Sequence, residues 1–579
     1  MQKVKPVLPL LVIGNILCMM DVSIVTIIMP KLQSTFNVSL DDLSWVINIY
    51  TIIFAAFIIP FGRLADKMGR NKLIFIGLCI FGLGSLGSGT AVNLNVLLIF
   101  RAIQSLGAAI IIPTSMVVAP ELTDSKNRNK IMGILAGSQG LAVALGPCVG
   151  GFISQYWDWR WVFFINIPFI ILILLRLPFV LSIKNEQTIQ TKNDWFGTFL
   201  SIIALFTLSL GLIKGNSWGW HSQIILLLFL IALLASILFL FWERHIAHPM
   251  IDLSLFKSRN FNAACFALIL CNFFLGGMVV LMPTFLTKIH NLSEIHAALL
   301  ITPYSVSVMI AVVLSALLAK RINHKFMIGT GFLLISGSYY VLSQLPDKDY
   351  VLQLIISDIL LGIGFGMVAA IANIMVIADF HGIQLTSSQS VANVLRQVGL
   401  VLSIAVCMSL LTSYLTTAKS HTLAYSYDRL KTLHLNQQQQ KTIKKKLAQK
   451  LNSNHQSINS NQSSIKVPKV VISEAKRHTL INTHYQDALQ HIATQKKVTV
   501  DQIPASTKAL IRQQITHTVN TTINQKESTI HAKIQHFTVD VHRQLKKNVA
   551  KAFLNVYQVI FPIALLSIAV IFIFKPKHQ

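Results

Sequence analysis

The sequence predicts an all-α integral membrane protein with fourteen membrane-spanning helices and a long helical insertion between the thirteenth and the fourteenth. Three observations carry this prediction. Hydrophobic residues make up 53% and charged residues only 12% of the 579, about half the charge of an ordinary soluble protein. Apolar runs long enough for a spanning helix of about 20 residues recur along the chain. A single long polar block, 418–548, interrupts them late.

The runs fall near 7–30, 44–62, 73–91, 95–118, 131–153, 161–182, 197–215, 223–242, 262–287, 297–319, 326–345, 350–378, 388–416 and 551–575. The first has a basic start like a signal peptide, but Asp21 interrupts it and no small-residue cleavage site follows, so it reads as a retained span. An even count puts both termini on one side, and loop charge selects that side. Lys3 and Lys5, Arg63 to Lys72, Lys126 to Lys130, Lys184 and Lys192, Arg244 to Arg259, Lys320 to Lys325, and Lys575 and Lys577 all fall on one set of loops. The alternate loops hold only Lys31, Arg160, Lys214, Lys288 and Lys348. The termini are therefore expected in the cytoplasm and the 418–548 block outside, since long domains cross largely regardless of their charge. A run that fails to cross would place the block inside instead.

Composition also excludes functions. The net charge of +27 does not indicate nucleic acid, because 418–548 alone carries 21 Lys and Arg against 6 Asp and Glu. The six cysteines lie in apolar runs with no CxxC pair, which supports neither a disulfide framework nor a metal site. No phosphate-binding loop of the G-x-x-x-x-G-K-[ST] type occurs, and no HExxH or GxSxG motif. No enzyme activity and no cofactor are expected. An ion gradient is the remaining source of energy.

Four stretches carry candidate chemistry. The loop after the second run reads Gly62-Arg63-Leu64-Ala65-Asp66-Lys67-Met68-Gly69-Arg70. Gly62 and Gly69 allow close approach and a tight turn, and Asp66 can accept from a helix end or from an arginine across the molecule. Asp21 lies inside the first run, where a carboxylate is costly unless it faces water, pairs or takes a proton. Its role is either coupling or a structural pairing with an arginine. The fourth run contains Arg101-Ala102-Ile103-Gln104-Ser105-Leu106-Gly107. Arg101 cannot usefully deprotonate, so it either holds a carboxylate, with Asp21 the obvious partner, or snorkels to the interface. The fifth run contains Gly137 and ends Gly146-Pro147-Cys148-Val149-Gly150-Gly151. These small residues permit tight helix packing, and Pro147 bends the helix. Asp358 in the twelfth run is a second deep carboxylate, and Arg396 of Asn393-Val394-Leu395-Arg396-Gln397 is a second deep cation.

These stretches, with Trp159-Arg160-Trp161-Val162-Phe163-Phe164-Ile165-Asn166-Ile167-Pro168 and His248-Pro249-Met250-Ile251-Asp252-Leu253, resemble the fourteen-span drug/proton antiporters of the major facilitator superfamily, the EmrB/QacA-like branch. The resemblance covers about 1–417 and 549–575. It implies a major facilitator fold of two six-helix halves with two extra helices between them. It also implies proton-coupled export of hydrophobic and amphipathic compounds from the inner (plasma) membrane. Proton coupling and substrate contact would involve Asp21, Arg101, Gln104, Asp358 and Arg396. Gly62, Arg63, Asp66, Gly69 and Arg70 would form the cytoplasmic gating motif, and Gly137, Gly146, Pro147, Gly150 and Gly151 the antiporter motif. Two alternatives stay open: a dedicated exporter of one metabolite such as a siderophore, or an importing symporter, and a transporter-like receptor or scaffold acting through its external domain.

The resemblance does not extend to 418–548. No glycine follows Gly399, and Pro468 and Pro504 are the only prolines of the block. Apolar residues at Ile511, Ile515, Val519, Ile523, Ile530, Ile534, Phe537, Val541 and Leu545 keep helical spacing. The expectation is a helical hairpin in which the last span continues outward through 505–550 and Thr417–Leu451 forms the opposing arm. Gln437–Gln440 and the Asn- and Ser-rich 452–464 read as loop or tip. Docking of a periplasmic adaptor, with its outer-membrane channel, is the partner that the resemblance suggests; gating the outer mouth and contact with anionic lipid are the alternatives. The expected organisation is 1–182 as the first half, 183–260 as the extra helices and linker, 261–417 as five helices of the second half, 418–548 as the insertion, and 549–579 as the last helix and tail.

Overall fold

The computed structural model describes residues 6–38, 40–182, 186, 194–246, 249–319, 321–346, 348–380, 383–433, 437–453, 474–497 and 499–574, and for some helical residues, Pro147 among them, the backbone alone. The described residues form helices and no strand. This follows from the solvent the sequence implies: in lipid a spanning segment must satisfy its own backbone hydrogen bonds.

The first half holds α1 (Leu8–Phe36), α2 (Leu40–Met68), α3 (Arg70–Gly89), α4 (Leu94–Glu121), α5 (Ser125–Tyr156), α6 (Trp161–Phe164) and α7 (Asn166–Val180). The extra pair is α8 (Trp195–Trp218) and α9 (Gln223–His245). The second half holds α10 (Arg259–Lys288), α11 (Glu294–Leu318), α12 (His324–Ser343), α13 (Val351–Ile377), α14 (Ile383–Lys431) and α17 (Ala505–Leu566). Between the last two lie α15 (Gln437–Ser453) and α16 (Glu474–Lys496). Short polar residues start many of these helices by accepting an otherwise unpaired backbone N–H. Asn93, Asp194, Ser222, Ser258, Ser293 and Asn323 do so for α4, α8, α9, α10, α11 and α12.

Thirteen helices among the described residues are long and apolar enough to cross a membrane. The fifth of the fourteen expected runs, α5, is not among the thirteen. Several of its residues have only their backbone described, and its run 131–153 carries no charged residue. The sixth run is split into α6 and α7 at Ile165. Pro168 accounts for the break, since it cannot donate to the carbonyl of Phe164. Lys214, expected in a loop, is buried in α8 with its ammonium 4.6 Å from the Trp45 ring.

Met1–Tyr414 together with Ala550–Gln579 form one compact unit. Within it α3 packs on α4, α1 on α5, and α11 and α12 on α13, while α5 meets α11 and α13 across the two halves. Small residues set these distances. A Cβ on Gly137 would lie 2.8 Å from Val312, and one on Gly140 2.9 Å from Val308, while one on Gly133 would collide with Ala316. Rising numbers on α5 meet falling numbers on α11, so the two helices run antiparallel.

Leu415–Val549 form the second unit. Here α17 is one continuous helix, as its apolar stripe predicts. Its Phe537 and Val541 are buried with Leu430, Ile443 and Leu447. Because Leu430 and Leu447 share this cluster, α15 doubles back instead of prolonging the arm expected over Thr417–Leu451. The glutamines 437–440, expected in a loop, belong to α15. Glutamine and lysine are good helix formers, and burying Ile443 and Leu447 rewards the helix. Further along, Leu489, Ala493 and Ile503 form a second cluster beside Ile511. Arg477 reaches Glu527 at 3.5 Å, and Arg512 lies over the Tyr485 ring, so α16 runs antiparallel to α17. Residues 454–464 of the expected tip lie outside the described residues.

Candidate functional site

Asp21 sits in the middle of α1 and is buried, as is Arg101 one helix pair away on α4. Their side chains are 0% exposed and form an ion pair through Arg101 Nη1 and Asp21 Oδ2. Gln104, one turn beyond Arg101, donates to the other carboxylate oxygen at 2.9 Å and accepts from Arg101 Nη1 at 2.9 Å. Arg101 Nε donates to the Val46 carbonyl at 3.1 Å, and the guanidinium lies 4.4 Å from the centroid of the Tyr50 ring. The Gln104 amide also reaches Ser85 Oγ at 3.2 Å, which accepts from Asn166 at 2.8 Å and donates to the Phe163 carbonyl at 2.9 Å. Residues of α1, α2, α3, α4, α6 and α7 therefore converge on one centre. Arg101 Nη2 and Asn166 Oδ1 are left without partners.

Helical spacing explains the convergence. Arg101 and Gln104 are three apart and share a face. Gly84 lets α4 approach, because a Cβ there would lie 2.5 Å from the Gln104 backbone. Ser105, also buried, donates to the Tyr50 carbonyl at 2.6 Å. A cleft lined by Cys18, Met19, Val22, Tyr50, Thr51, Phe54, Ile112 and Gln397 lies beside this centre.

Arg396 does not join that cluster. It is buried on α14 and donates to Asn373 of α13 and, at 2.7 Å, to Gln139 of α5. It thus links the two halves through neutral amide oxygens. Asp358 is a third, separate position. It is fully buried on α13, and neither carboxylate oxygen has a hydrogen-bond partner.

The Gly62–Arg70 motif forms the end of α2 and the start of α3. Arg70 donates to Asp66 at 2.8 Å and also pairs with Glu121 at the end of α4. Asp66 thus pairs inside its own motif. A Cβ on Gly62 would collide with Ser390 of α14, so the motif approaches the second half there. Gly69 has φ +99°, a conformation that requires glycine. Glu186 accepts from the backbone N–H of Asn71 at 2.6 Å and of Lys72 at 3.2 Å. A carboxylate is well placed there, at the positive end of α3. Arg63 lies within electrostatic reach of Glu243 on α9.

The antiporter-motif glycines divide between two faces of α5. Gly137 and Gly151 face α11, at Val312 and Ile295, whereas Gly146 and Gly150 face α1 at Ser23 and Ile24. The Pro147 side chain lies outside the described residues, as does His248. Outside the spans, burial would raise the Asp252 carboxyl, but hydrogen bonds from Ser254 and Gln384 hold it below its ordinary value.

Several partners escaped the sequence. Ser85, Asn166 and Gln139 look like ordinary small polar residues of a span. Asp194 and Glu243, at the facing ends of α8 and α9, were also missed. Asp194 accepts from Trp242 at 2.8 Å and Glu243 from the Ile251 N–H at 3.3 Å. Each keeps one buried oxygen without a partner, and both oxygens lie beside Gly197. An acid next to an apolar run at each end of one hairpin was the available signal. Among the described residues no group of three or more His, Cys, Asp or Glu could hold a metal ion.

Two helical halves closed around buried ionic side chains define a membrane transporter. The chain matches the Major Facilitator Superfamily over residues 11–404 and belongs to that family. It is 30% identical over 399 residues to the multidrug transporter protein MdtP of Bacillus subtilis (strain 168), covering 67% of this chain and 73% of that one. It is 33% identical over 316 residues to the methylenomycin A resistance protein of the same organism, covering 54% and 67%. The solved structure of the proton:xylose symporter XylE, bound to 6-bromo-6-deoxy-D-glucose, superposes with a TM-score of 0.50 at 16% identity, covering 70% of this chain and 88% of that one. That likeness establishes the fold alone.

Proposed function

We propose that the chain is a proton-coupled exporter of hydrophobic and amphipathic compounds, of the multidrug efflux type, driven by the proton gradient without a cofactor. The observation that carries this reading is the Asp21–Arg101–Gln104 centre. A buried carboxylate whose charge is balanced by a single arginine is a two-state device. A proton arriving on Asp21 cancels the attraction and leaves Arg101 unbalanced. Leaving one buried partner without its counter-charge costs about 3–5 kcal/mol, enough to favour a different arrangement of the halves. Emptying the site restores the pair. The drive is adequate, since one charge crossing 100 mV is worth about 2.3 kcal/mol, roughly a fiftyfold concentration ratio.

The glycine contacts between α5 and α11 let the halves slide, and the Gly62–Ser390 approach gives the cytoplasmic side a closed position. Arg396, held only by neutral amides, is a donor that an acceptor group on a substrate can recruit. Loop charge supports an inner-membrane location with both termini in the cytoplasm and 418–548 on the opposite side. The relatives that are resistance proteins support export. The 418–548 insertion is assigned to docking a periplasmic adaptor, because it folds as its own unit with a basic surface.

Proton-driven uptake of ethidium into inverted vesicles tests the reading. Asp21→Asn is expected to abolish proton-coupled accumulation while leaving downhill leak. Flux unchanged from wild type would remove Asp21 from coupling. Deleting 420–545 is expected to preserve flux in these vesicles but lose resistance in whole cells, and resistance retained would end the docking role.

A further inference from the structure

The base of the extra hairpin, beside the Gly62–Arg70 motif, holds two buried acids that the transport centre does not use. Asp194 precedes α8 and Glu243 lies in the last turn of α9, and they are 9% and 3% exposed. Each carboxyl has one satisfied oxygen. Asp194 Oδ1 accepts from the Gly197 N–H and from Trp242 Nε1, both at 2.8 Å. Glu243 Oε2 accepts from the Ile251 N–H at 3.3 Å. The other two oxygens, Asp194 Oδ2 and Glu243 Oε1, are buried with no partner. They meet at one place: a Cβ on Gly197 would lie 3.1 Å from Glu243 Oε1 and would collide with Asp194 Oδ2. The two carboxyls also act on each other electrostatically.

Two acceptors thus face each other with no donor between them. Ionised together they repel, and burial weakens the screening. One proton supplies the donor, turning the facing oxygens into a charge-assisted O–H···O bond. Carboxyls that share a site do not both ionise readily, and they titrate as a unit. The charge count agrees. A pair holding one proton keeps one negative charge, and the cation in reach of Glu243 is Arg63 of α2, whose Nη1 is buried without a partner. The other charged groups around the pair, among the described residues, are engaged or exposed. Asp66 and Arg70 pair with each other. Arg244 and His245 on α9 are exposed. Asp252 accepts from Ser254 and Gln384, with Lys257 acting on it.

The pair holds the segment that follows α9. Beside the Ile251 N–H on Glu243, the Met250 sulfur accepts from Thr198 of α8 at 3.4 Å. The next residue, Asp252, accepts from Gln384 of α14 at 2.8 Å. Residues 250–252 therefore tie the extra hairpin to the second half. We propose that Asp194 and Glu243 share one proton, which makes this tie a pH-sensitive clasp. The clasp is closed while the proton is held. As pH rises through the titration of the pair, the proton leaves, two negative charges face each other, and Glu243 releases Ile251. The doubled charge also draws on Arg63, which joins the Gly62–Arg70 motif to the state of the clasp. This goes beyond the export reading: the proton is not carried across, but sets whether the extra hairpin moves with the second half.

Hydrogen exchange at Ile251 tests the clasp without substrate or gradient, so its outcome is separate from that of the export reading. Purified full-length protein in detergent is followed by mass spectrometry of the peptide containing 249–256, from acidic to alkaline pH. Glu243→Gln is the reference, because its amide N–H replaces the shared proton permanently while its carbonyl still accepts from Ile251. The wild-type exchange rate, divided by that of Glu243→Gln at the same pH, is expected to be near one in acid. It is expected to rise about tenfold in alkali, the worth of about one hydrogen bond. Asp194→Asn supplies the same donor from the other side and is expected to match Glu243→Gln at every pH, so each amide variant checks the other. A ratio that stays flat across the range overturns the proposal. So does failure of both amide variants to fold, because an amide fits this place only if a proton does.

Discussion

The two deep carboxylates are alike in residue type and burial and opposite in surroundings. Asp21 meets a guanidinium, an amide and, through Gln104, a serine and an asparagine from two further helices. Neither oxygen of Asp358 has a hydrogen-bond partner, and no ion pair joins it among the described residues. The difference teaches that intramembrane position alone does not define a role. The first carboxylate has its counter-charge inside the protein, as the proposed latch requires. The second has no such partner in the protein among the described residues.

The largest expected effect tests the latch. Arg101→Met leaves the Asp21 carboxylate buried without its cation and is expected to lower stability by about 3–5 kcal/mol, measured by thermal unfolding in detergent. Adding Asp21→Asn to that variant is expected to recover most of the loss. If Arg101→Met unfolds at the wild-type temperature, Asp21 and Asp358 are not different in kind. Gln104→Leu sharpens the same contrast. It removes one hydrogen bond to a charged group, worth about 1.5–3 kcal/mol, and the loss should shrink when Asp21 is also neutralised. The smallest effect belongs to the second half. Asp358→Asn removes no bonded partner, and a buried acid without a counter-charge takes a proton, so the variant is expected to keep its stability within about 0.5 kcal/mol of wild type in the same unfolding measurement. A large loss there would show that Asp358 has a partner in the resting protein.

Much of this was legible from residue types. Asp21 and Arg101 each stand out in an apolar run, and an acid and a base that both need a partner find each other across 80 positions of sequence. The Gly62–Arg70 motif, with its glycine at positive φ, and the long apolar stripe of α17 were also readable, because each is a local pattern. The break at Ile165 had its signal in Pro168. Register between helices was not readable. Tyr304 looks like a packing residue in an apolar run, and only the glycine contacts between α11 and α13 bring it level with Asp358. The doubling back of α15 was hidden for a related reason. A polar helix with two buried aliphatics, Ile443 and Leu447, has the same pattern whether it extends an arm or folds against it. Along α5 glycine and serine replace aliphatic bulk.

That replacement has a mechanical consequence. Along α5 the residues 133, 137 and 140 present hydrogen atoms where other helices present branched side chains. Interlocked knobs must unseat before two helices shift, whereas a smooth strip sets up no such ratchet. The face toward α11 therefore acts as a plain bearing, with low friction along its length, while Ser23 and Ile24 key the opposite face of the same rod into α1. One helix is thus both axle and mount.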